Sequence, residues 1–354
     1  MEPLARFHRR LTREGPIGVL EKLLFFLLVP CGWLYGTICR VRVLFYRSGI
    51  FPVYRAGIPV ISVGNLSVGG TGKTPTVDHL VRYFLARERK VAVVSRGYGV
   101  RAGRRGVRIV SSGSGPLLEP LDCGDEPFLL ARRNPEARVY VAPRRREGVA
   151  LAMDQGADVV ILDDGFQHLA VDRDLDIVLL DAARPLGNGR VLPAGNLREF
   201  PGALGRGDLF LLTRYGVDSP SEPISLPGPV FRVRHVLAER AVSLVGEKIP
   251  LPELAGRNCL AFAGIADPEG FFKALTDQGI RLGKVLHFAD HAVYDRAAIG
   301  RIMEAARGVE FLLTTEKDGA KLRAGDFPIP CYQVPLSLEF LEKGRLESHL
   351  QKFV

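Results

Sequence analysis

From residue 59 onward the chain alternates short apolar runs with segments of helical or polar character. Runs at 59–63, 91–95, 138–142, 158–162, 176–180 and 208–213 predict strands, and their rhythm is that of a parallel, doubly wound α/β sheet. A second group near 259–263, 283–287, 310–314 and 331–335 predicts a smaller C-terminal α/β lobe. Residues 97–116, rich in Gly, Ser and Arg, read most simply as a β-hairpin insert, whose Arg101, Arg104, Arg105 and Arg108 either touch an anionic substrate or solvate a loop. Asp218-Ser219-Pro220-Ser221-Glu222-Pro223 reads as a linker. The division expected is 1–57, an apolar and basic segment; 58–217, the core; and 218–354, linker and smaller lobe.

The first 57 residues have a different pattern. Leu23 to Cys39 is uncharged and includes Leu23-Leu24-Phe25-Phe26-Leu27-Leu28-Val29, followed by Pro30, Gly32, Trp33 and Tyr35. A spanning helix needs about 20 apolar residues, and this run is short and interrupted by Pro30. Nine Lys and Arg against three Glu surround it, so most of the chain's net charge of +9 lies there, on both sides of the run. Cations at both ends do not suit a simple span, and no small-x-small site follows for a signal peptide. The reading drawn is an interfacial anchor over residues 17–46, with Trp33 and Tyr35 at headgroup depth and arginines on anionic lipid phosphates. A true span and a buried soluble helix are the alternatives.

Composition narrows the class. A chain of 354 residues, 47% hydrophobic and 25% charged, can bury a full core and has the length of two lobes. Five scattered cysteines, Cys31, Cys39, Cys123, Cys259 and Cys331, lack C-x-x-C spacing and indicate neither a disulfide framework nor a zinc site. They fit a reducing, cytoplasmic environment.

The chemistry begins at Ile61-Ser62-Val63-Gly64-Asn65-Leu66-Ser67-Val68-Gly69-Gly70-Thr71-Gly72-Lys73-Thr74-Pro75. An apolar strand enters a glycine-rich turn ending in Gly-Lys-Thr, just before a helix expected from Pro75 to about Arg87. Backbone N–H groups of Gly69, Gly70, Thr71 and Gly72 can point into one concavity, Lys73 can reach the outer phosphates, and the Thr74 hydroxyl can ligate Mg²⁺. Ser67 stands where the usual pattern G-x-x-x-x-G-K-[ST] has its first Gly. An ordinary strand-to-helix turn is the plain alternative. A second acidic element is expected on a neighbouring strand, and Asp163-Asp164 follow Asp158-Val159-Val160-Ile161-Leu162. In an open parallel sheet these carboxylates would project beyond the strand ends toward the phosphates. Alone, Asp-Asp-Gly would read as a solvated turn.

Other residues stay open on local sequence. Asp125 in Gly124-Asp125-Glu126-Pro127 reads locally as a helix N-cap, and Glu126 as a dipole complement or a ligand contact. His291 and His168 are each either packed loop histidines or functional groups. Thr315 and Asp318 have capping-box-like spacing, which favours a structural role for 314–318.

Taken in order, the blocks 63–75, Ser95-Arg96-Gly97-Tyr98-Gly99, 124–127, Asp163-Asp164-Gly165-Phe166-Gln167-His168, Leu192 to Glu199, Asp290-His291 and Thr314 to Asp318 closely resemble the tetraacyldisaccharide 4′-kinase family, the lipid A 4′-kinases. The resemblance runs from the N-terminal apolar segment to about residue 322. It implies a P-loop NTPase-type core with a smaller C-terminal α/β lobe, working on the cytoplasmic face of a Gram-negative inner membrane. It further implies transfer of the γ-phosphoryl group of ATP, with Mg²⁺, to the 4′-hydroxyl of a tetraacylated glucosamine disaccharide 1-phosphate, late in lipid A biosynthesis. By motif position, Asp125 resembles the base on that hydroxyl and His291 its partner, with Lys73 and Asp163 also catalytic. Thr74, Asp164 and Glu199 match the metal-serving positions, and Arg96, Gln167, His168 and Arg198 match positions facing substrate or nucleotide. The family often has a second histidine after the Asp, where this chain has Ala292. The partners implied are the acylated lipid and a membrane surface with anionic lipids, with no nucleic acid and no obligate protein partner.

Two other classes carry related loops. Membrane-associated partitioning ATPases have Lys-Gly-Gly-x-Gly-Lys-Thr, but Val68 replaces that first Lys here. A metallochaperone GTPase would need a His- or Cys-rich segment, and none is visible.

Overall fold

The computed structural model describes residues 10–11, 15–97, 106–216, 219 and 225–354. A 29-residue helix α1 (Val19–Arg47) precedes β1 (Val60–Asn65), α2 (Lys73–Leu85), β2 (Val91–Ser95), β3 (Arg108–Ser112), α3 (Pro120–Cys123), α4 (Asp125–Arg133), β4 (Arg138–Val141), α5 (Arg145–Asp154) and β5 (Val159–Asp163). Next come β6 (Leu175–Asp181), β7 (Leu209–Thr213) and β8 (Val230–Leu237). The smaller lobe holds β9 (Arg240–Ser243), β10 (Lys248–Pro250), β11 (Asn258–Ala263), α6 (Pro268–Asp277), β12 (Arg281–His287), α7 (Arg296–Ala305), β13 (Phe311–Thr315), α8 (Glu316–Gly319) and β14 (Cys331–Val334). The chain ends with β15 (Leu336–Phe340) and α9 (Lys343–Leu350).

The larger sheet has nine strands in the order β15-β8-β7-β6-β1-β5-β2-β4-β3, parallel except at its two edges, where β15 and β3 are antiparallel to their neighbours. Strands β1, β2, β5 and β7 are buried at every position, as the continuous apolar runs require of strands covered on both faces. Strand β1 lies between β5 and β6, with Val63 in register with Asp163. The phosphate-type loop therefore leaves the sheet beside the paired acids, at the carboxyl edge where open α/β sheets bind ligands.

Two boundaries differ from expectation. Strands β8 and β15 follow the linker in sequence yet extend the first sheet, so the smaller six-stranded sheet, β10-β9-β14-β13-β11-β12, is inserted between them. Both are only partly buried, β15 as the sheet edge and β8 as its neighbour, so neither presented the solid apolar run that marked the central strands. Of the expected hairpin, residues 98–105 with Arg101, Arg104 and Arg105 lie outside the described residues, and β3 pairs with β4. Linker positions 218 and 220–223 also lie outside them.

The interrupted run at 23–39 is instead one continuous helix with Pro30 inside it. Gly32 and Gly36 give α1 a narrow face that docks on the core. A Cβ on Gly32 would lie 3.1 Å from the Val191 carbonyl, and one on Gly36 would lie 2.5 Å from the Phe200 ring. Trp33 packs on Phe200, Arg190 lies over Phe25, and Arg42 donates to the Gln167 carbonyl at 2.9 Å. Away from that face Leu20, Leu23, Phe26, Leu27, Leu34 and Ile38 are exposed, Phe26 by 75%. The helix is long and apolar enough to cross a membrane.

Candidate active site

Helix α2 starts two residues before the expected Pro75, because Gly72 adopts φ 87° as N-cap and lets the chain turn directly into Lys73. Pro75 then sits in the first turn, where its missing N–H costs nothing. Asn65, a buried polar residue at the end of an apolar strand, organises the loop: its Nδ2 donates to Thr71 Oγ1 at 3.0 Å, and Lys73 Nζ donates to its Oδ1 at 3.3 Å. Gly69 and Gly70 are exposed, and the Val68 N–H donates to the Asn196 carbonyl at 2.7 Å. Gly72 abuts His235, whose Nε2 would lie 2.6 Å from an added Cβ. Arg214 bridges from the loop to Asp181 at 2.8 Å, and its other nitrogen donates to the Gly70 carbonyl at 2.5 Å.

The two acids are in different environments. Asp163 is 1% exposed, its Oδ2 accepts from Ser95 at 3.3 Å, and its Oδ1 has no hydrogen-bond partner. Burial, with the Glu126 and Asp164 carboxylates nearby, pushes its pKa up to about 7. Asp164 occupies a left-handed backbone position at φ 52°. Its oxygens accept from Arg198 at 2.8 and 2.9 Å, and Lys73 Nζ lies 3.7 Å away. Burial opposes its charge, but Lys73 and Arg198 prevail and hold its carboxyl below the usual carboxylate range. Arg145, itself buried, donates to both backbone carbonyls of the pair at 2.7 and 3.0 Å.

Around this centre Gln167 is fixed at both ends of its amide, accepting from Arg198 and donating to the Asn65 carbonyl at 3.1 Å each. Arg96 is exposed just beyond β2. His168 has an unpartnered Nε2, and burial followed by Arg145, Arg173, Arg42 and Arg96 pushes its pKa down to about 4. Glu199 is buried, and both of its oxygens accept from Arg206, at 2.8 and 2.9 Å, in a bidentate pair.

Asp125 does not cap its helix, since Gly124 is the N-cap and carries no side-chain acceptor. The Asp125 carboxylate turns instead to the smaller lobe, where Oδ2 lies 3.2 Å from His291 Nδ1 and 2.9 Å from Lys321 Nζ. No hydrogen bond from the described residues reaches Oδ1. Thr315 does cap α8, accepting from the Asp318 N–H at 3.1 Å. Asn65, Arg145, Arg214 and Lys321 were not singled out from sequence. Only Asn65, a polar residue inside an apolar strand, carried a visible signal.

A glycine-rich loop with its Lys and an acidic strand end beside it, on a mostly parallel sheet, define a P-loop nucleotide-binding class, and Asp125 and His291 pair between its two lobes. The model of the family described as LpxK: Tetraacyldisaccharide-1-P 4′-kinase matches residues 24–354, and the chain belongs to that family. It is 56% identical to the tetraacyldisaccharide 4′-kinase of Syntrophotalea carbinolica, with 100% of this chain and 99% of that one covered. Identity to the enzyme of the same name from Geobacter sulfurreducens is 43%, with 98% of each covered. A crystal structure of LpxK from Aquifex aeolicus in complex with ATP superposes with a TM-score of 0.80 at 31% identity, covering 93% of this chain and 99% of that one. The activity is thus that of a lipid A 4′-kinase, and the partitioning-ATPase alternative is set aside.

Proposed function

We propose that Lys73, the 69–74 loop, Asp163, Asp164 and the Asp125–His291 pair carry this transfer, ATP being the donor and a lipid-borne sugar hydroxyl the acceptor. The observation that supports the reading best is convergence. Glu126, next to Asp125, is within electrostatic reach of Asp163, at the strand end that flanks the phosphate loop. Loop N–H groups and Lys73 would hold the outer phosphates, and Arg198, Arg96 and Gln167 would position donor or acceptor. The Asp125 Oδ1 would take the hydroxyl proton, since both protein donors lie on Oδ2.

Mg²⁺ fits this donor set. The orphaned Asp163 Oδ1 and the Thr74 hydroxyl are hard oxygen donors, and Asp164 and Glu199 each keep carboxylate lone pairs beyond their arginine contacts. The bound ion would neutralise charge on the phosphates. His168, neutral and enclosed by arginines, has a packing role in this reading rather than a substrate contact. The helix α1 would rest on the cytoplasmic face of the inner membrane, with its exposed apolar face in the acyl region and Arg40 and Arg47 on anionic headgroups.

Incubation with γ-labelled ATP, Mg²⁺ and the disaccharide 1-phosphate in detergent tests the assignment. The expected product is a bis-phosphorylated lipid, and Lys73→Ala should abolish it, because the charge on the transferring group loses its loop cation. Near-native turnover of that variant at saturating ATP would place the cradle elsewhere.

A further inference from the structure

Helix α4 is only nine residues long, yet one short turn of the smaller lobe grips both of its ends. At the C-terminal end Arg133 donates to Glu316 and to Asp78, and Arg132 donates to Gln333 at 2.9 Å. At the N-terminal end Lys317 Nζ lies 3.8 Å from Glu126, and Lys321 Nζ lies 2.9 Å from Asp125. Glu316 and Lys317 lie in α8, and Lys321 follows two residues after its end. That turn is pinned by the fully buried Asp318, which accepts from Thr315 Oγ1 at 2.7 Å and from the Gly264 N–H at 2.9 Å.

Resting on the assignment of Asp125 as the proton acceptor, we propose that Lys321 is a positioning residue for phosphoryl transfer, fixing which oxygen of Asp125 meets the acceptor hydroxyl and keeping that carboxylate ionised, while Lys317 fixes the tautomer of His291. The Lys321 side chain is 8% exposed, and its ammonium also donates to the Ala292 carbonyl at 3.1 Å, with Asp318 Oδ1 at 3.9 Å. So held, it cannot swing away from Asp125. Both it and His291 occupy Oδ2, which leaves Oδ1 for substrate. Lys317 Nζ lies 3.3 Å from His291 Nε2. An ammonium has no acceptor, so Nε2 accepts and the ring hydrogen sits on Nδ1, where Asp125 receives it.

The groups facing Asp125 are His291, Lys317 and Lys321, with Tyr294 and Asp318 behind them and Glu126 on its own helix. Burial favours the neutral carboxyl, but the His291 hydrogen bond, then Lys321 and Lys317, outweigh it and hold the pKa below the usual carboxylate range. Without Lys321 the burial is poorly opposed, and the base takes its proton at higher pH.

The test is lipid phosphorylation by full-length Lys321→Met, Lys321→Arg and Asp125→Ala from about pH 5 to about pH 9, with melting temperature and the KM for ATP measured alongside. In Lys321→Met the acidic limb of kcat should move to higher pH, with at least about a tenfold loss near the acid end and less than about threefold loss near the alkaline end. Lys321→Arg keeps the charge and should hold the limb near its original position. An equal loss at every pH in the Met variant, or an Arg variant that melts normally but shifts the limb, overturns the role of Lys321. If the Met variant does not fold, the Arg profile decides alone. Full activity of Asp125→Ala would instead overturn the base assignment on which the proposal rests.

Discussion

His291 holds a left-handed backbone conformation, φ 59°, that costs a non-glycine residue of order 1–3 kcal/mol. Two contacts over-determine it: its N–H donates to the Gly264 carbonyl at 3.2 Å, and Nδ1 meets Asp125. Strain of this kind persists where the surroundings fix a functional geometry, and here it carries an imidazole across the lobe boundary to the carboxylate. Asp125→Ala and His291→Ala should each lower kcat by roughly 10²–10⁴-fold, the scale of general acid–base contributions, with little change in the KM for ATP. Groups acting as a unit lose function together, so the double variant should be scarcely worse than the more damaged single one. A multiplicative loss in the double variant, with kcat intact in either single one, would separate the two residues and leave the base unidentified.

At the scale of elements, α1 uses one side as a docking strip and leaves the other bare. Gly32, Gly36 and Val43 are buried against the core, while Leu20, Leu23, Phe26, Leu27, Leu34 and Ile38 remain largely exposed among the described residues. Fully burying each such side chain yields about 1.5–3 kcal/mol, so immersion of all six is comparable with or larger than the contribution of one lipid chain, the scale of reversible membrane attachment. The triple variant Phe26→Glu, Leu27→Glu, Leu34→Glu should therefore pull the protein off anionic vesicles in a flotation assay while leaving ATP binding intact, since the docked face is untouched. Undiminished flotation would place the membrane contact elsewhere. Reagents reaching engineered cysteines near residue 5 from the periplasmic side would show a span in place of an interfacial helix. Pro30 made the run look interrupted in sequence, but a single proline inside a long helix bends it more readily than it ends it when glycines on one face hold the helix to its neighbour.

Over the whole molecule, what sequence showed follows from how each interaction is encoded. Doubly covered strands such as β1 and β5 are solid apolar runs, and the 69–74 loop has its glycines and cation contiguous, so both were legible. The half-covered β8 and β15 alternate weakly, and their return to the first sheet is a tertiary fact. Lys321 meets Asp125 across almost 200 positions of chain, and Arg206 pairs with Glu199 from outside its motif, so no local pattern encodes either. The same long-range burial sets the acid stability of the fold. His79, His168 and His235 lie in three different parts of the molecule, and in each case burial leads the causes that push the pKa from the ordinary 6.5 down to about 4. Above pH 6.5 neither folded nor unfolded chain is protonated at these sites; between 6.5 and about 4 the unfolded chain binds protons that the folded one refuses, so stability falls as pH falls through that window. Asp163, raised to about 7, and Asp176, also raised by its burial, work in the opposite direction, but they are two groups against three. The melting temperature of the metal-free protein should accordingly drop between about pH 6.5 and pH 4.5, with net proton uptake on unfolding measured by calorimetry in buffers of different ionisation enthalpy. His79 stacks on Phe340 of the edge strand β15, centroid to centroid 4.2 Å, and is remote from the chemistry, so His79→Gln should flatten the slope without touching turnover. A melting temperature that stayed level or rose on acidification would mean that these histidines accept protons in the folded state.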